Sequence, residues 1–322
     1  MKATAVAHPI QGLVKYHGMR DPEKRFPYHD SISVCTAPSH TKTTVQFQPD
    51  SDEDTYRIDG EQVTGTDANR IQKVVERVRD LATDKYTAAG VRLESENDFP
   101  TNVGFGSSSS GFAAAAMALS NAANLDLDRA EISTIARLGS SSAARSVTGG
   151  FSDLHAGLND ANCRASRIPS NLEENTRIIG ALIPAYKETE QAHKEAAASH
   201  MFQARLAFVH EQLAKMRDAL YRDDFTDVFE IAEKDSLSLA ATTMTGPSGW
   251  VYWQPTTIAI FNTVRKLRNN RDIPVYFSVD TGASVYINTK DDFVDEVMDA
   301  LKKHDIDLYE WEIGGPARIV DG

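Results

Sequence analysis

Only two cysteines, Cys35 and Cys163, occur in 322 residues, and neither sits in a CxxC or CxxH spacing. That excludes a disulfide framework and a thiolate zinc site, and two buried, reduced thiols are expected. Basic residues are also scarce relative to acids, 34 against 46, giving a net charge of −12. With no basic stripe, nucleic acid is excluded as a main partner, as is an anionic membrane surface. No window approaches 18 uninterrupted apolar residues, and His8, Pro9 and Gln11 interrupt any apolar stretch near the start, so neither a membrane span nor a signal peptide is expected. The expected location is the cytoplasm. Internal repeats are absent, and the only low-complexity tracts are short serine runs.

What remains is a chain 41% hydrophobic and long for one domain, so two lobes are expected, with a boundary near residue 185: an N-terminal lobe 1–185 and a C-terminal lobe 186–322. The first half reads strand-rich. Ala3 to Ala7, Ser31 to Thr36 and Thr41 to Gln48 alternate as strands, and Tyr56 to Val63 reads as a hairpin turning at Asp59-Gly60. Ile71, Val74, Val75, Val78 and Leu81 recur at helical steps. Beyond a strand at Ile178 to Ile183 the texture shifts to long amphipathic helices. One is marked by Phe202, Leu206, Val209, Leu213, Met216 and Leu220, one starts at Asp223-Asp224, and one runs from Pro255 to Arg268. Paired strands are expected at Pro274 to Val279 and Ser284 to Asn288, then a helix face of Phe293, Val294, Val297, Met298 and Leu301.

The most informative stretch is Phe99 to Phe112, FPTNVGFGSSSSGF, between a strand at Val91 to Glu96 and an alanine-rich helix read from Gly111 to Ala123. Gly104 and Gly106 let the backbone approach an oxyanion, and the unpaired N–H groups at a helix N-terminus favour negative charge there. The hydroxyls of Ser107, Ser108 and Ser109 add donors, and those of Ser107 and Ser108 can ligate Mg²⁺. No lysine follows the glycines, so this is not the GxxxxGK[ST] loop.

The pattern P-x-x-x-G-x-G-S-S-S resembles the phosphate loop of the GHMP kinase superfamily. Three further blocks narrow the resemblance to the ATP-dependent mevalonate diphosphate decarboxylases. Ala136 to Ser146, ARLGSSSAARS, is similar to that family's R-x-G-S-G-S-A-x-R-S; Val14 to Asp21, VKYHGMRD, with Pro27 and Ser31 to Val34, to its V-K-Y-W-G-K-R-D and P-x-x-x-S-I-S; and Phe277 to Ala283, FSVDTGA, to its F-x-x-D-A-G. The resemblance implies an α+β, two-lobed GHMP kinase fold, a strand-rich α/β lobe with the phosphate loop followed by a ferredoxin-like α+β lobe, and homodimers.

Asp280 alone, before a Gly turn, reads as an ordinary turn former, and Arg145 alone as a surface salt-bridging residue. The resemblance implies instead that Asp280 faces the C3 hydroxyl of a mevalonate derivative as acid-base residue, while Arg145 holds the substrate carboxylate in a bidentate fork. It further implies that Lys15, Tyr16, Ser140 and Ser142 contact substrate, and that Gly104, Gly106, Ser107, Ser108 and Ser109 bind ATP, with Mg²⁺ at Ser107 and Ser108. Departures bear on the substrate. Met19 replaces the block's second lysine, His17 its tryptophan, and Ile10 or Gln11 falls where the family has Asn. Losing a cation beside the terminal phosphate disfavours a diphosphate more than a monophosphate. The family's archaeal members with such changes point to 5-phosphomevalonate, with the 5-diphosphate as the alternative. A kinase that stops after phosphorylation needs no Arg145 and Asp280 pair, and a silent sensor usually loses its loop or its acid, which this chain keeps.

Overall fold

A computed structural model describes residues 2–82, 86, 89–101, 105–185 and 189–321. The strands β1 (Lys2–Ala7), β2 (Ile10–Val14), β3 (Met19–Asp21), β4 (Phe26–Pro27), β5 (Ser31–Ala37) and β6 (Thr41–Gln48) come first. The hairpin β7 (Thr55–Ile58) and β8 (Glu61–Gln62) follows, turning through Asp59 and Gly60 at φ 52 and 84, the positive-φ pair that suits a tight hairpin. Next come helix α1 (Gly65–Leu81), strand β9 (Gly90–Asn97) and helices α2 (Ser107–Ala122), α3 (Arg129–Gly139) and α4 (Ala143–Thr148).

The remaining elements are β10 (Phe151–Leu154), β11 (Ala165–Ile168), β12 (Thr176–Leu182), α5 (Thr189–Ala198), α6 (Phe202–Tyr221), α7 (Phe225–Met244), α8 (Pro255–Arg271), β13 (Tyr276–Ser278), β14 (Val285–Lys290), α9 (Val294–Leu301), β15 (Asp307–Ile313) and β16 (Arg318–Val320). The expected strands and amphipathic helices are present. Helix α2 starts at Ser107 rather than Gly111, because Gly106 at φ 75 turns the chain directly into it. Leu81, expected on the buried stripe, is exposed: it is the last residue of α1, where the helix leaves the core that Ile71, Val74, Val75 and Val78 enter.

Among the described residues one sheet runs β16-β1-β6-β9-β7-β8, antiparallel except for β7 beside β9. Helices α1, α2 and α3 cover it, and the alanines of α2 make that cover close-fitting: Ala113, Ala114, Ala116 and Ala118 are fully buried. The second sheet runs β11-β10-β5-β15-β12-β14-β13, with β2 also paired to β5. Its C-terminal strands bury both faces by period-two alternation. Ile178, Tyr276 and Tyr286 pack with α6 and α7, while their neighbours Ile179, Phe277 and Ile287 pack with α8 and α9. Both cysteines are free and buried, and burial pushes the Cys35 thiol up to about 12 and that of Cys163 to about 11. No helix among the described residues is long and apolar enough to cross a membrane.

Candidate active site

A cavity of about 1080 Å³ opens between the N-terminus of α2 and the ends of β2, β13 and α5. Its lining gathers Lys15, Tyr16, Gly106, Ser107, Ser108, Ser109, Ser140, Ser142, Arg145 and Asp280, segments far apart in sequence. Gly104 lies outside the described residues. The remaining site residues expected from sequence therefore face one space.

At one end, Gly106 takes a left-handed conformation that a side chain rarely adopts, and a β-carbon there would stand 2.9 Å from the Ile10 carbonyl oxygen. Ser109 holds this turn: its hydroxyl donates to the Gly106 carbonyl at 2.6 Å and accepts from the Ile10 N–H at 3.2 Å. That occupies Ser109 in shaping the loop, whereas Ser107 and Ser108 are only half-buried and lie on the cavity side of the first helical turn. The Ser109 N–H is taken by the Gly106 carbonyl at 2.8 Å, and the N–H groups of Ser107 and Ser108 with their two hydroxyls form a donor set suited to phosphoryl oxygens. No cluster of three His, Cys, Asp or Glu able to hold a metal occurs among the described residues. A Mg²⁺ carried largely by phosphate oxygens and water, with one or two serine hydroxyls, fits this site.

Asp280 follows β13 and accepts from the Gly12 backbone N–H at 3.3 and 3.4 Å. Gly12 has no room for a side chain: a β-carbon would meet Asp280 Oδ1 and Lys15 Cγ at 2.8 Å each. Lys15 is buried, and burial pushes its pKa down while Asp235 and Asp280 pull it back. Its Nζ reaches Ser236 Oγ at 3.0 Å and Asp235 at 3.5 Å. Asp235 also accepts from Arg205 at 3.0 Å, and Arg205 donates to the Lys15 carbonyl at 2.7 Å. One buried carboxylate thus fixes two cations. Arg145 is buried too, its guanidinium donating to Ser31 Oγ and lying 5.4 Å from the Tyr16 ring centre. Burial pushes its pKa down, opposed by Tyr16, Asp280 and Asp153. Its Nε has no hydrogen-bond partner in the protein, a buried donor suited to an anion. Lys15 and Arg145 both line the cavity and both interact with Asp280, so two cations face one carboxylate at that wall.

Ser140 and Ser142 share a hydrogen bond at 2.8 Å. Met19 does not line the cavity; it stands one layer back, its sulfur 4.0 Å from Ser141 Oγ. Arg25, on the same stretch, does line it. Likewise Ile10 faces the cavity, while Gln11 points away, fully buried. Asp235, Arg205, Ser31 and His193 were missed as site residues. The available signal for Asp235 was an acid on the apolar stripe Val228, Ile231, Ala232, Leu239 of α7.

Residues 7–165 match the diphosphomevalonate decarboxylase-like N-terminal domain, and residues 186–310 the mevalonate 5-diphosphate decarboxylase C-terminal domain. The phosphomevalonate decarboxylase of Haloferax volcanii is 67% identical over 321 residues, spanning 100% of this chain and 98% of that one. The chain belongs to the mevalonate diphosphate decarboxylase family. The diphosphomevalonate decarboxylase of Candida albicans is more distant, 27% identical over 99% of this chain and 95% of its own. The crystal structure of mevalonate diphosphate decarboxylase from Staphylococcus aureus superposes with a TM-score of 0.93 at 28% identity, over 99% and 98% of the two chains. A structure described for the mevalonate diphosphate mediated ATP binding mechanism of the Enterococcus faecalis decarboxylase gives 0.91 at 28% identity, over 100% and 99%. MDDEF in complex with MVAPP, AMPPCP and magnesium gives 0.91 at 27% identity, over 100% and 99%. The fold is therefore the GHMP-type fold of this decarboxylase family.

Proposed function

We propose that this chain catalyses the ATP-dependent decarboxylation of (R)-5-phosphomevalonate to isopentenyl phosphate, CO₂, ADP and phosphate. The observation that carries the reading is the meeting of Asp280 and Arg145 with the α2 phosphate loop in one cavity, in a chain 67% identical throughout to a phosphomevalonate decarboxylase. In this reading residues 1–185 form the lobe that supplies the phosphate loop, and residues 186–322 the lobe that supplies Asp280.

Asp280 orients the C3 hydroxyl and takes its proton as the oxygen attacks the γ-phosphorus of ATP, forming a P–O bond and releasing ADP. The N–H groups at the start of α2, with Ser107 and Ser108, stabilise charge on the transferring group. Ser107 and Ser108 would hold a Mg²⁺, which would supply charge neutralisation to the phosphates. The C3–O bond then breaks, phosphate leaves with the electron pair, and the electrons of the bond to the carboxylate carbon form the alkene as CO₂ departs. Arg145 keeps the carboxylate in line for that cleavage. Lys15 and Tyr16, with Ser140 and Ser142, position the rest of the substrate.

The test is CO₂ release with Mg-ATP and, separately, mevalonate, 5-phosphomevalonate and 5-diphosphomevalonate, identifying the products. CO₂ with isopentenyl phosphate from the monophosphate is expected. CO₂ from the diphosphate alone would replace the substrate, and ADP without CO₂ would make the protein a kinase. A cytoplasmic homodimer belongs to the same reading by family analogy, and light scattering checks the dimer.

A further inference from the structure

We propose that Ser236 and Ser278 are positioning residues for phosphoryl transfer, a two-hydroxyl tie that holds Lys15, which follows β2, and Asp280, which follows β13, in one fixed arrangement. This rests on the reading above and deepens it, naming residues that act through Lys15 and Asp280 rather than on substrate.

Lys15 and Asp280 flank Gly12, and their charges interact. The strands that deliver them are not joined by a ladder. Among the described residues β2 pairs with β5 and β13 with β14, and the two segments belong to the two matched domains, 7–165 and 186–310. Their alignment therefore has to come from side-chain bonds.

Ser236, buried on α7, supplies the first of them. Its hydroxyl donates its single proton to the Ala232 carbonyl at 2.8 Å, one helical turn back, which fixes the direction of the oxygen. The two lone pairs of that oxygen then accept from Lys15 Nζ at 3.0 Å and from the N–H of Val279, the residue directly before Asp280, at 3.1 Å. One oxygen thus ties the ammonium to the main chain that carries the carboxylate. Ser278 adds a second tie: its hydroxyl, 3.3 Å from Ser236 Oγ, donates to the Gly12 carbonyl at 3.2 Å, while the Gly12 N–H donates to Asp280. Asp235, next to Ser236, holds Lys15 from the other side, accepting from its backbone N–H at 3.1 Å. Neither serine lines the cavity, so both act at one remove from substrate. Without the Ser236 hydroxyl the Val279 N–H loses its acceptor and the Lys15 ammonium is free to shift against Asp280, and a displacement of about 1 Å at a reacting group is enough to slow turnover.

The experiment measures single-turnover ADP formation with 5-phosphomevalonate, and the KM for Mg-ATP, in the wild type, Ser236→Ala, Ser278→Ala, Lys15→Met and the double variant Lys15→Met/Ser236→Ala. Ser236→Ala is expected to slow ADP formation by about tenfold, with the KM for Mg-ATP within about twofold of the wild type. Ser278→Ala, which loosens only the Gly12 carbonyl, gives a smaller loss in the same rate. On the Lys15→Met background Ser236→Ala costs about threefold or less, because one of the two groups it places is already gone. A full tenfold loss on both backgrounds, or unchanged ADP formation in Ser236→Ala, overturns the tie. Should Ser236→Ala fail to fold, Ser236→Cys, which keeps a side chain there and weakens the acceptor, runs through the same cycle. A wild type that accepts only the diphosphate, or forms ADP without CO₂, overturns the reading above, and the same cycle with the substrate it accepts then decides the tie alone. No ADP from mevalonate or either of its phosphates overturns both.

Discussion

Gly12 and Asp280 meet across 268 positions of sequence, the backbone N–H of Gly12 donating to both carboxylate oxygens at 3.3 and 3.4 Å. The carboxylate is thereby aimed by the main chain of β2. Asp280→Asn keeps an acceptor for that N–H but removes the proton acceptor, so kcat is expected to fall by about 10²–10⁴-fold with little change in melting temperature. Gly12→Ala, which puts a methyl 2.8 Å from Asp280 Oδ1, should lower kcat without touching the carboxylate chemically. Unchanged turnover in Asp280→Asn would remove Asp280 from the proton transfer.

Arg145 acts after phosphorylation in this scheme, so its loss should separate the two stages. Arg145→Lys keeps the charge and loses the planar fork. In single-turnover experiments, ADP formation is expected to persist while CO₂ release drops by about tenfold or more. Parallel loss of both would place Arg145 in substrate binding alone.

Gly106→Ala tests the phosphate loop. A left-handed alanine costs about 1–2 kcal/mol, and the 2.9 Å approach to the Ile10 carbonyl adds strain. The KM for Mg-ATP should rise by about tenfold, measured at saturating phosphomevalonate, with the KM for the latter nearly constant.

Asp235 bridges two buried cations, Lys15 and Arg205, and is itself fully buried. Removing its charge in Asp235→Asn takes the buried counter-charge from Arg205 and leaves Lys15 with Asp280 alone, and a loss of about 3–5 kcal/mol in stability is expected from urea unfolding. A loss below about 1 kcal/mol would mean that the pair contributes little beyond its surroundings.

His29 gives a pH prediction. Burial lowers its pKa from 6.5 to about 4, outweighing its hydrogen bond to the Asp30 carbonyl. Above pH 6.5 both folded and unfolded chains hold it neutral. Below that the unfolded chain takes a proton that the folded chain refuses until about pH 4, so stability falls across this window and levels off beneath it. His29→Gln should reduce the slope of the melting temperature in that interval, leaving the part due to His8, which burial shifts in the same direction.

Much of this was legible in the sequence where a single element supplies the pattern. The stripe Ile71, Val74, Val75 and Val78 states its period, and the glycines and serines before α2 state a turn into a helix N-terminus. Strand β2 gave no alternation to read, because both its faces are buried and Gln11 is enclosed with its amide atoms unpartnered in the protein. Asp280 was distinguishable from a turn former only through its motif. The Lys15, Asp235 and Arg205 network joins three distant segments, and His193 belongs to no motif, so their roles emerge only from the packing of α5, α6 and α7 around β2.

Strand β16 pairs with β1, Thr4 opposite Val320, in the sheet that supports the phosphate loop. During synthesis at about 5–20 residues per second, β1 waits roughly 15–60 s for that neighbour. Throughout the wait its outer edge is an unpaired strand open to wrong partners, the kind of edge on which chains aggregate. A nascent chain stalled before residue 318 should therefore recruit chaperones that the released protein no longer needs.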